Sequence, residues 1–322
     1  MKRSVNSVIF TVLLLAGSVF PVAAAELLVP GGTLVGLELS NDTVTVAAFD
    51  DTLGGDARRG GLRIGDEILS IDGMEIDTIE DVRKALTACD DDVELMLLRG
   101  NSRHTLRINP RATESGPRLG VFLKQGIAGI GTVTFYDPET HRFGTLGHAV
   151  NDGSGKLLTM TEGRAFPAQV ASVKKGISGQ PGQLRGTADA VQTVGTLIKN
   201  TPQGVFGTSP TGWPGEPLPV ADYDDIRTGT ATIRSTVQGD RVQEYSVEIL
   251  KIYPEDRADH RNFLIKVTDP SLLETTGGIV QGMSGSPIIQ DGKLVGAVTH
   301  VLVNDPTTGY GIFIENMLDA AA

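Results

Sequence analysis

The chain has 322 residues, which is enough for two domains with cores of their own. Its hydrophobic content of 40% and charged content of 21% are ordinary for a soluble globular protein, while forty glycines, sixteen prolines and only 5% aromatic residues favour many turns and short strands. A formal net charge of −11, with no basic cluster, argues against nucleic acid as a partner and against a basic face that binds anionic lipid. The single cysteine, Cys89, excludes an internal disulfide and a cysteine-cluster metal site.

The N-terminus has the pattern of a targeting segment. Two basic residues, Lys2 and Arg3, precede an apolar run over about residues 8–20, and three alanines follow at 23–25. This order is typical of a secretory signal with a small-residue cleavage site after Ala25. The apolar run is short for a membrane span, which needs about 20 residues, although an uncleaved membrane anchor is the alternative. We therefore expect an exported protein whose only membrane contact is residues 1–25.

A short polar segment, residues 110–118, divides the rest of the chain into two regions. The first region, residues 27–112, has short strand patterns and one clear amphipathic helix that begins after Thr78. Between them lies Gly-Asp-Glu-Ile-Leu-Ser-Ile-Asp-Gly at 65–73. The order of glycine loop, strands, this hairpin, helix and closing strand resembles a PDZ domain. Such a domain binds an extended peptide by adding it to a sheet as a further strand.

The PDZ resemblance implies a glycine loop whose backbone amides receive the terminal carboxylate of the bound peptide. We match that loop to residues 30–36, so the predicted peptide-binding residues are Gly31, Gly32, Leu34 and Gly36. The ligand would be a peptide C-terminus or a segment of this chain. The alternative is that the small domain only packs on the larger one.

The second region, residues 119–322, is rich in glycine and has little helical periodicity. Strand patterns recur between its turns, for example at 131–135, 168–173, 229–233, 246–250, 263–267 and 293–298. This spacing is typical of a β-barrel or a pair of barrels. The predicted fold class is therefore mainly β, with an N-terminal PDZ domain over residues 27–112 followed by a two-barrel domain over residues 119–322.

A glycine-flanked serine provides the clearest chemical signal. In Gly-Met-Ser-Gly-Ser-Pro at 282–287, Ser284 lies in a tight turn that leads into an apolar strand. Such a turn holds the hydroxyl out of the strand and aims backbone N–H groups at one point, as an acyl-transfer nucleophile requires. An ordinary hairpin turn is the alternative, because Gly, Ser and Pro are common turn residues. Ser286 is a competing nucleophile, but its position before Pro287 favours a turn hydroxyl.

A serine nucleophile needs a base and a carboxylate that orients the base. His148 follows a short apolar pattern and lies between Gly147 and Ala149, so that its ring can face a cleft; a hydrogen-bonded structural histidine is the alternative. Asp269 precedes Ser284 and follows the strand pattern at 263–267, although Asp-Pro-Ser is also a common helix or turn cap. The chain order His148, Asp269, Ser284 is that of the two-barrel serine proteases.

Three longer runs carry a more specific resemblance. They are Gly-Thr-Leu-Gly-His-Ala at 144–149, Thr-Gly-Gly-Ile-Val-Gln-Gly-Met-Ser-Gly-Ser-Pro-Ile at 276–288, and the run at 296–313 that begins Gly-Ala-Val-Thr-His-Val. With them the chain resembles the SpoIVB serine peptidases, PDZ-containing proteases of endospore-forming bacteria, over nearly all of its length after the targeting segment. The resemblance implies a serine endopeptidase with His148 as general base, Ser284 as nucleophile and Asp269 as third member of the triad. The backbone amides of Gly282 and Ser284 would receive the oxyanion.

The strand pattern at 293–301 follows the nucleophile by one hairpin. In two-barrel proteases the strand in this place lines the substrate cleft, so Thr299, His300 and Val301 are predicted to form a wall of it. A plain core strand with one polar residue fits the pattern equally well. No histidine pairs with acids at metal-ligand spacing and no phosphate-binding loop is present, so neither a metal nor another cofactor is expected.

The family resemblance also implies a biological role. It implies export into the space between the two membranes of the forespore, where the protease cleaves a membrane-associated regulator of an intramembrane protease. That cleavage leads to activation of a late mother-cell sigma factor. Two alternatives stay open: a non-catalytic PDZ scaffold that binds peptides, and a general extracytoplasmic quality-control protease. The latter usually has its PDZ domain after the protease domain, whereas here it comes first.

Overall fold

A computed structural model describes residues 26–89, 91–153, 155–254 and 257–322. The predicted targeting segment, residues 1–25, lies outside the described residues. Within the described ranges, no helix combines the length and the apolar character that a membrane span requires.

The described residues form nineteen strands and four α-helices, with a 3-10 turn at Tyr223–Asp225. The elements of the first part are β1 Leu27–Pro30, β2 Leu34–Phe49, α1 Gly55–Arg59, β3 Glu67–Ile71, β4 Met74–Glu75, α2 Ile79–Thr87, β5 Val93–Arg99, β6 Ser102–Ile108, β7 Val121–Tyr136, β8 Arg142–Thr145 and β9 Glu162–Lys174. Those of the second part are β10 Gln183–Ala188, β11 Gly195–Thr201, β12 Gly204–Thr208, β13 Leu218–Pro219, β14 Gly229–Thr236, β15 Val242–Ile252, β16 Phe263–Val267, α3 Pro270–Thr276, β17 Pro287–Gln290, β18 Lys293–Leu302, β19 Asp305–Phe313 and α4 Ile314–Ala321.

Six strands close into a first ring, here called the N-terminal barrel. Strands β7, β8, β12, β11, β9 and β2 pair in that order, and β2 pairs again with β7. All of these pairings are antiparallel. Alternate side chains of each strand point inward and form one apolar core, which includes Val35, Leu37, Val133, Phe143 and Val205. A closed ring leaves no strand edge of these segments open to solvent.

The C-terminal barrel closes in the order β14, β15, β16, β19, β18 and β17. Its core is the largest apolar cluster of the described residues and includes Ile233, Val247, Ile265 and Val298. The rings of Phe263 and Phe313 meet edge to face in this core, with centroids 4.6 Å apart. The two barrels confirm the predicted mainly β architecture.

The PDZ region is a small sheet covered by α2. It comprises the outer half of β2, strands β3, β5 and β6, and the first residues of β7. Helix α2 begins where predicted, because Thr78 and Asp81 exchange side-chain and backbone hydrogen bonds in a capping box. Within the Gly-Asp hairpin motif, Asp66 is fully buried and accepts two hydrogen bonds from Arg99, each 2.7 Å long. That ion pair fixes β3 against the end of β5.

The junction between the PDZ region and the protease region differs from the prediction. Residues 34–40 pair with β7 and β9 of the N-terminal barrel, so they are not part of the PDZ region. The predicted linker at 110–118 is a turn closed by paired residues Arg111 and Arg118. The actual connection is made by β2 and β7, each 16 residues long, which run from one unit into the other. Two strands therefore continue from one unit into the other.

Candidate active site

Ser284 lies in the turn that joins α3 to β17. Gly282 and Gly285 on either side have φ values of +101° and +94°, a region that favours glycine. A Cβ at Gly285 would lie 2.1 Å from the carbonyl oxygen of Thr132, so a side chain has no room there. The Ser284 hydroxyl donates to the carbonyl of Thr299 at 2.8 Å. Ser286 is fully buried and donates to Ser235, which leaves Ser284 as the serine that faces the groove.

His148 follows β8 at the rim of the N-terminal barrel. Leu146 and Gly147 before it both have positive φ, +70° and +67°, so the chain turns sharply there. Its Nδ1 lies 2.9 Å from the carbonyl oxygen of Ala149. If Nδ1–H donates to that carbonyl, Nε2 is left as a proton acceptor. Burial lowers the pKa of His148, and the contact with Ala149 opposes that shift only in part. A neutral imidazole with an accepting Nε2 is what a general base requires.

Ser284 and His148 line one cavity between the two barrels, with a volume of about 470 Å³. Thr299, His300 and Val301 line the same cavity, which is the place that the sequence predicts for them. The other lining side chains are largely apolar and include Leu37, Leu39, Ile127, Ile130, Leu146, Ile279 and Val280. The Ser284 hydroxyl donates to Thr299 rather than to His148.

The turn also supplies two backbone donors. Among the described residues, none accepts a hydrogen bond from the N–H of Gly282 or of Ser284. Both residues line the cavity that contains His148. These are the two amides that the sequence predicts as the oxyanion hole. Unengaged N–H groups beside the nucleophile are the donors that stabilise a carbonyl oxygen as it becomes negatively charged during attack by a serine.

The prediction that Asp269 orients His148 is wrong for this structure. Asp269 caps α3: its carboxylate accepts from the backbone N–H of Ser271 at 2.9 Å and of Leu272 at 3.1 Å. Burial raises the pKa of Asp269, but hydrogen bonds from Ser271, Leu272 and Ser246 outweigh that effect and lower it overall. Asp269 follows β16, whereas Asp259, the acidic residue that borders a cavity together with His148, precedes that strand. The sequence signal Asp-Pro-Ser therefore marks a helix cap.

His300 is the side chain that faces the His148 ring. The two ring centroids lie 5.2 Å apart at an interplanar angle of 44°. Burial and the neighbouring His148 lower the pKa of His300 to about 4, so it is neutral at physiological pH. Both rings also border a second cavity of about 450 Å³, together with Asp259 and His260. Sequence reasoning missed those two residues, because they belong to a loop before β16 that has no motif of its own.

The residues predicted for the PDZ peptide site lie elsewhere, and that prediction is wrong. The amides of Gly31 and Gly32 donate to the carbonyls of Thr134 and Val133 at 2.9 and 2.8 Å. Leu34 is fully buried, and Gly36 lies in a paired segment of β2. Since Gly31 and Gly32 are engaged by β7 and the other two lie inside the N-terminal barrel, these positions cannot receive a carboxylate. Residues 30–36 therefore form the turn that leads into the N-terminal barrel, and they do not form the carboxylate-binding loop of the PDZ domain.

An open strand edge lies at the other end of β7. Residues 121–125 pair with β2 on one side, and no strand of the described residues pairs with their other side. Helix α2 begins beside this edge, because the Gln125 side chain accepts from the N–H of Ile79 and donates to the carbonyl of Asp77. Gly120, just before the edge, has a φ of +71° and no room for a Cβ, which would lie 2.3 Å from the carbonyl oxygen of Leu53.

Nowhere in the described part of the chain do three His, Cys, Asp or Glu side chains converge as metal ligands would.

Comparison with known proteins agrees with the geometry. A family model described as SpoIVB peptidase S55 matches residues 116–318, and a PDZ domain model matches residues 54–100. Comparison with curated proteins finds no match. Among solved structures, the active form of Rv3671c protease from M. tuberculosis is 16% identical with a TM-score of 0.38, covering 61% of this chain and 73% of that one. The inactive form of Rv3671c protease is 15% identical with a TM-score of 0.35, covering 61% and 85%.

The likeness to those solved structures is too low to support a functional inference. The family match is different, because it spans more than half of the 322 residues and includes both His148 and Ser284. The chain therefore belongs to the SpoIVB peptidase S55 family, with a PDZ domain preceding the matched peptidase region.

Proposed function

We propose that this protein is an exported serine endopeptidase that cleaves an extended segment of a protein substrate in the groove between its two barrels. One observation carries the proposal. The Ser284 hydroxyl and the His148 imidazole line the same cavity, together with two backbone N–H groups that have no partner among the described residues. The largely apolar lining of that cavity favours a substrate with a large apolar side chain beside the scissile bond.

The mechanism follows from the positions of these groups. His148 Nε2 takes the proton from Ser284 Oγ as that oxygen attacks the scissile carbonyl, and later gives it to the leaving amine. The N–H groups of Gly282 and Ser284 stabilise the oxyanion of the tetrahedral intermediate. The carbonyl of Ala149 accepts from His148 Nδ1–H and so takes the place that a carboxylate has in a complete triad. Water then hydrolyses the acyl-enzyme with His148 again as base.

The PDZ domain is proposed to bind an extended peptide along the open edge of β7. A peptide added there as a strand would lie between residues 121–125 and helix α2. This assignment replaces the loop at residues 30–36. The ligand would be a peptide C-terminus or a segment of the substrate.

The biological role is proposed from family membership and from the N-terminal sequence. Residues 1–25 support export, with a transient membrane anchor as the alternative. Membership of the SpoIVB peptidase family supports a substrate that is a membrane-associated regulator of an intramembrane protease, in the space between the forespore membranes. Cleavage of that regulator would then lead to activation of a late mother-cell sigma factor.

Replacement of Ser284 by alanine tests the catalytic proposal. The purified parent protein should cleave fluorescently labelled casein and react with a fluorophosphonate probe at Ser284, and Ser284→Ala should do neither while it keeps the thermal midpoint of the parent. Ser286→Ala is the matched control and should keep most of the activity. Equal casein cleavage by the parent and Ser284→Ala would refute the proposal. A parent that folds but neither cleaves nor reacts would favour the non-catalytic PDZ scaffold.

A further inference from the structure

The carbonyl groups of the nucleophile turn, residues 281–285, are all engaged. Each of these five consecutive carbonyl oxygens accepts a hydrogen bond, and four of the five donors belong to strands β7 and β10 on the other side of the groove. The bonds are Leu184 N–H to Gln281 at 2.8 Å, Thr132 Oγ1–H to Gly282 at 2.9 Å, Ser286 N–H to Met283 at 3.0 Å, Thr132 N–H to Ser284 at 3.0 Å and Thr134 Oγ1–H to Gly285 at 2.8 Å.

These bonds determine where the two unengaged amides point. In a trans peptide the C=O and the following N–H point in opposite directions. The bond from Leu184 to the Gln281 carbonyl therefore directs the N–H of Gly282 away from β10, and the bond from Ser286 to the Met283 carbonyl directs the N–H of Ser284 away from Ser286. The bond from the Thr132 hydroxyl holds the peptide plane between these two amides. Two of the three bonds that hold these peptide planes therefore come from β10 and β7, and the third comes from Ser286, which follows the turn.

The turn needs such an external constraint because of its own sequence. Glycine populates many backbone conformations, and Gly282 and Gly285 flank the nucleophile. Thr132 and Thr134 are both fully buried, and they lie on one face of β7 because alternate residues of a strand share a face. The carbonyl of Thr132 also accepts from the hydroxyl of Thr145, three residues before His148. Thr132 therefore links the strand that carries the base to the turn that carries the nucleophile.

We propose that Thr132 and Thr134 are positioning residues, here called the threonine clamp, whose hydroxyls on the N-terminal barrel hold the oxyanion hole of the C-terminal barrel in shape. The inference rests on the proposed function and adds residues that touch neither substrate nor the reacting atoms. Because the hole acts on the transition state, loss of the clamp lowers the rate of the chemical step with little change in ground-state binding. Removal of a whole oxyanion donor costs about 10²–10³ in rate, so a displaced donor should cost about 10-fold.

Valine and serine replacements separate positioning from packing. Thr132→Val keeps the shape of the side chain and removes the hydroxyl, whereas Thr132→Ser keeps the hydroxyl. Thr236→Val is the matched control, because the fully buried Thr236 hydroxyl also crosses between the barrels but donates to the carbonyl of Gly32, at 2.9 Å, instead of to the turn. Thermal midpoints of all variants report the loss of stability.

The experiment measures how fast a fluorophosphonate probe modifies Ser284 at several probe concentrations. These rates give the maximal inactivation rate constant and the apparent binding constant of the probe. Thr132→Val is expected to lower the rate constant about 10-fold at an unchanged binding constant, while Thr132→Ser and Thr236→Val stay within about two-fold of the parent. Thr134→Val is expected to lower the rate constant by a smaller factor than Thr132→Val. If Thr132→Val does not fold, Thr134→Val is the variant that tests the proposal. Parent-like rates for both valine variants, or an equal slowing by Thr236→Val, would overturn the clamp. Failure of the parent to react at Ser284 would instead refute the proposed function.

Discussion

The two barrels have the same number of strands but contribute different kinds of groups to the site. The C-terminal barrel closes on itself and supplies Ser284, the backbone amides of Gly282 and Ser284, and the side of the cavity that includes His300. The N-terminal barrel shares β2 and β7 with the PDZ region and supplies His148 and the threonine clamp. Each barrel has a core of its own, yet neither contains the catalytic groups alone. Residues that act across the groove should therefore govern the rate, and residues that act within one barrel should govern stability.

The largest expected effect comes from the base on the N-terminal barrel. His148→Gln should lower the maximal rate of casein cleavage by about 10³-fold, because Ser284 then has no group that accepts its proton. His300→Gln, on the facing wall, is the matched control and should cost less than about 10-fold, since His300 borders the cleft without accepting that proton. Comparable losses in the two variants would show that His300 shares the role of the base.

The pH dependence of the rate tests the role of His148 on the N-terminal barrel in a second way. His148 must be neutral to act, so the rate falls when the pH drops through its pKa. Because burial lowers that pKa, the acidic limb of the rate profile should have its midpoint below pH 6.5, the ordinary value for histidine. The measurement is the rate of fluorophosphonate modification at Ser284 between pH 4 and pH 8, with circular dichroism to confirm that the fold persists. A midpoint above 6.5 would mean that a carboxylate near His148 stabilises the charged ring.

The smallest expected effect on the rate is at Asp269, which acts within the C-terminal barrel. Asp269→Ala removes the cap of α3 and should lower the free energy of unfolding by about 1 kcal/mol. Asp269→Asn keeps a good capping side chain and should retain both stability and activity. Urea unfolding and casein cleavage of the two variants provide the measurement. A loss of about 10⁴-fold in Asp269→Asn, with the fold intact, is the result expected of a triad carboxylate and would contradict the capping role.

Local sequence signals predicted those parts of the fold and site whose causes are local. The Ser284 turn and the bend before His148 depend on glycines with positive φ, and the start of α2 depends on the Thr78 capping box. The short strand patterns of the second region likewise predicted individual strands, whose alternation is local.

The errors have a common cause, which is pairing between distant segments. Residues 35–40 pair with β9 at 162–167, and nothing in their alternation distinguishes a barrel strand from a PDZ strand. Asp269 precedes Pro270 and Ser271, and the choice between cap and triad member depends on which end of β16 approaches His148. The threonine clamp was missed because Thr132 and Thr134 meet their partners about 150 positions away in the chain.

The most direct test of the account is a crystal structure of the protein with Ser284 phosphonylated by the fluorophosphonate probe. The account predicts the phosphonyl oxygen within about 3.1 Å of the backbone nitrogens of both Gly282 and Ser284, with His148 Nε2 beside the esterified Oγ. It also predicts that the hydroxyls of Thr132 and Thr134 keep their bonds to the turn. A phosphonyl oxygen that points away from these amides, or a label on another residue, would contradict the claim that the two barrels assemble one active site around Ser284.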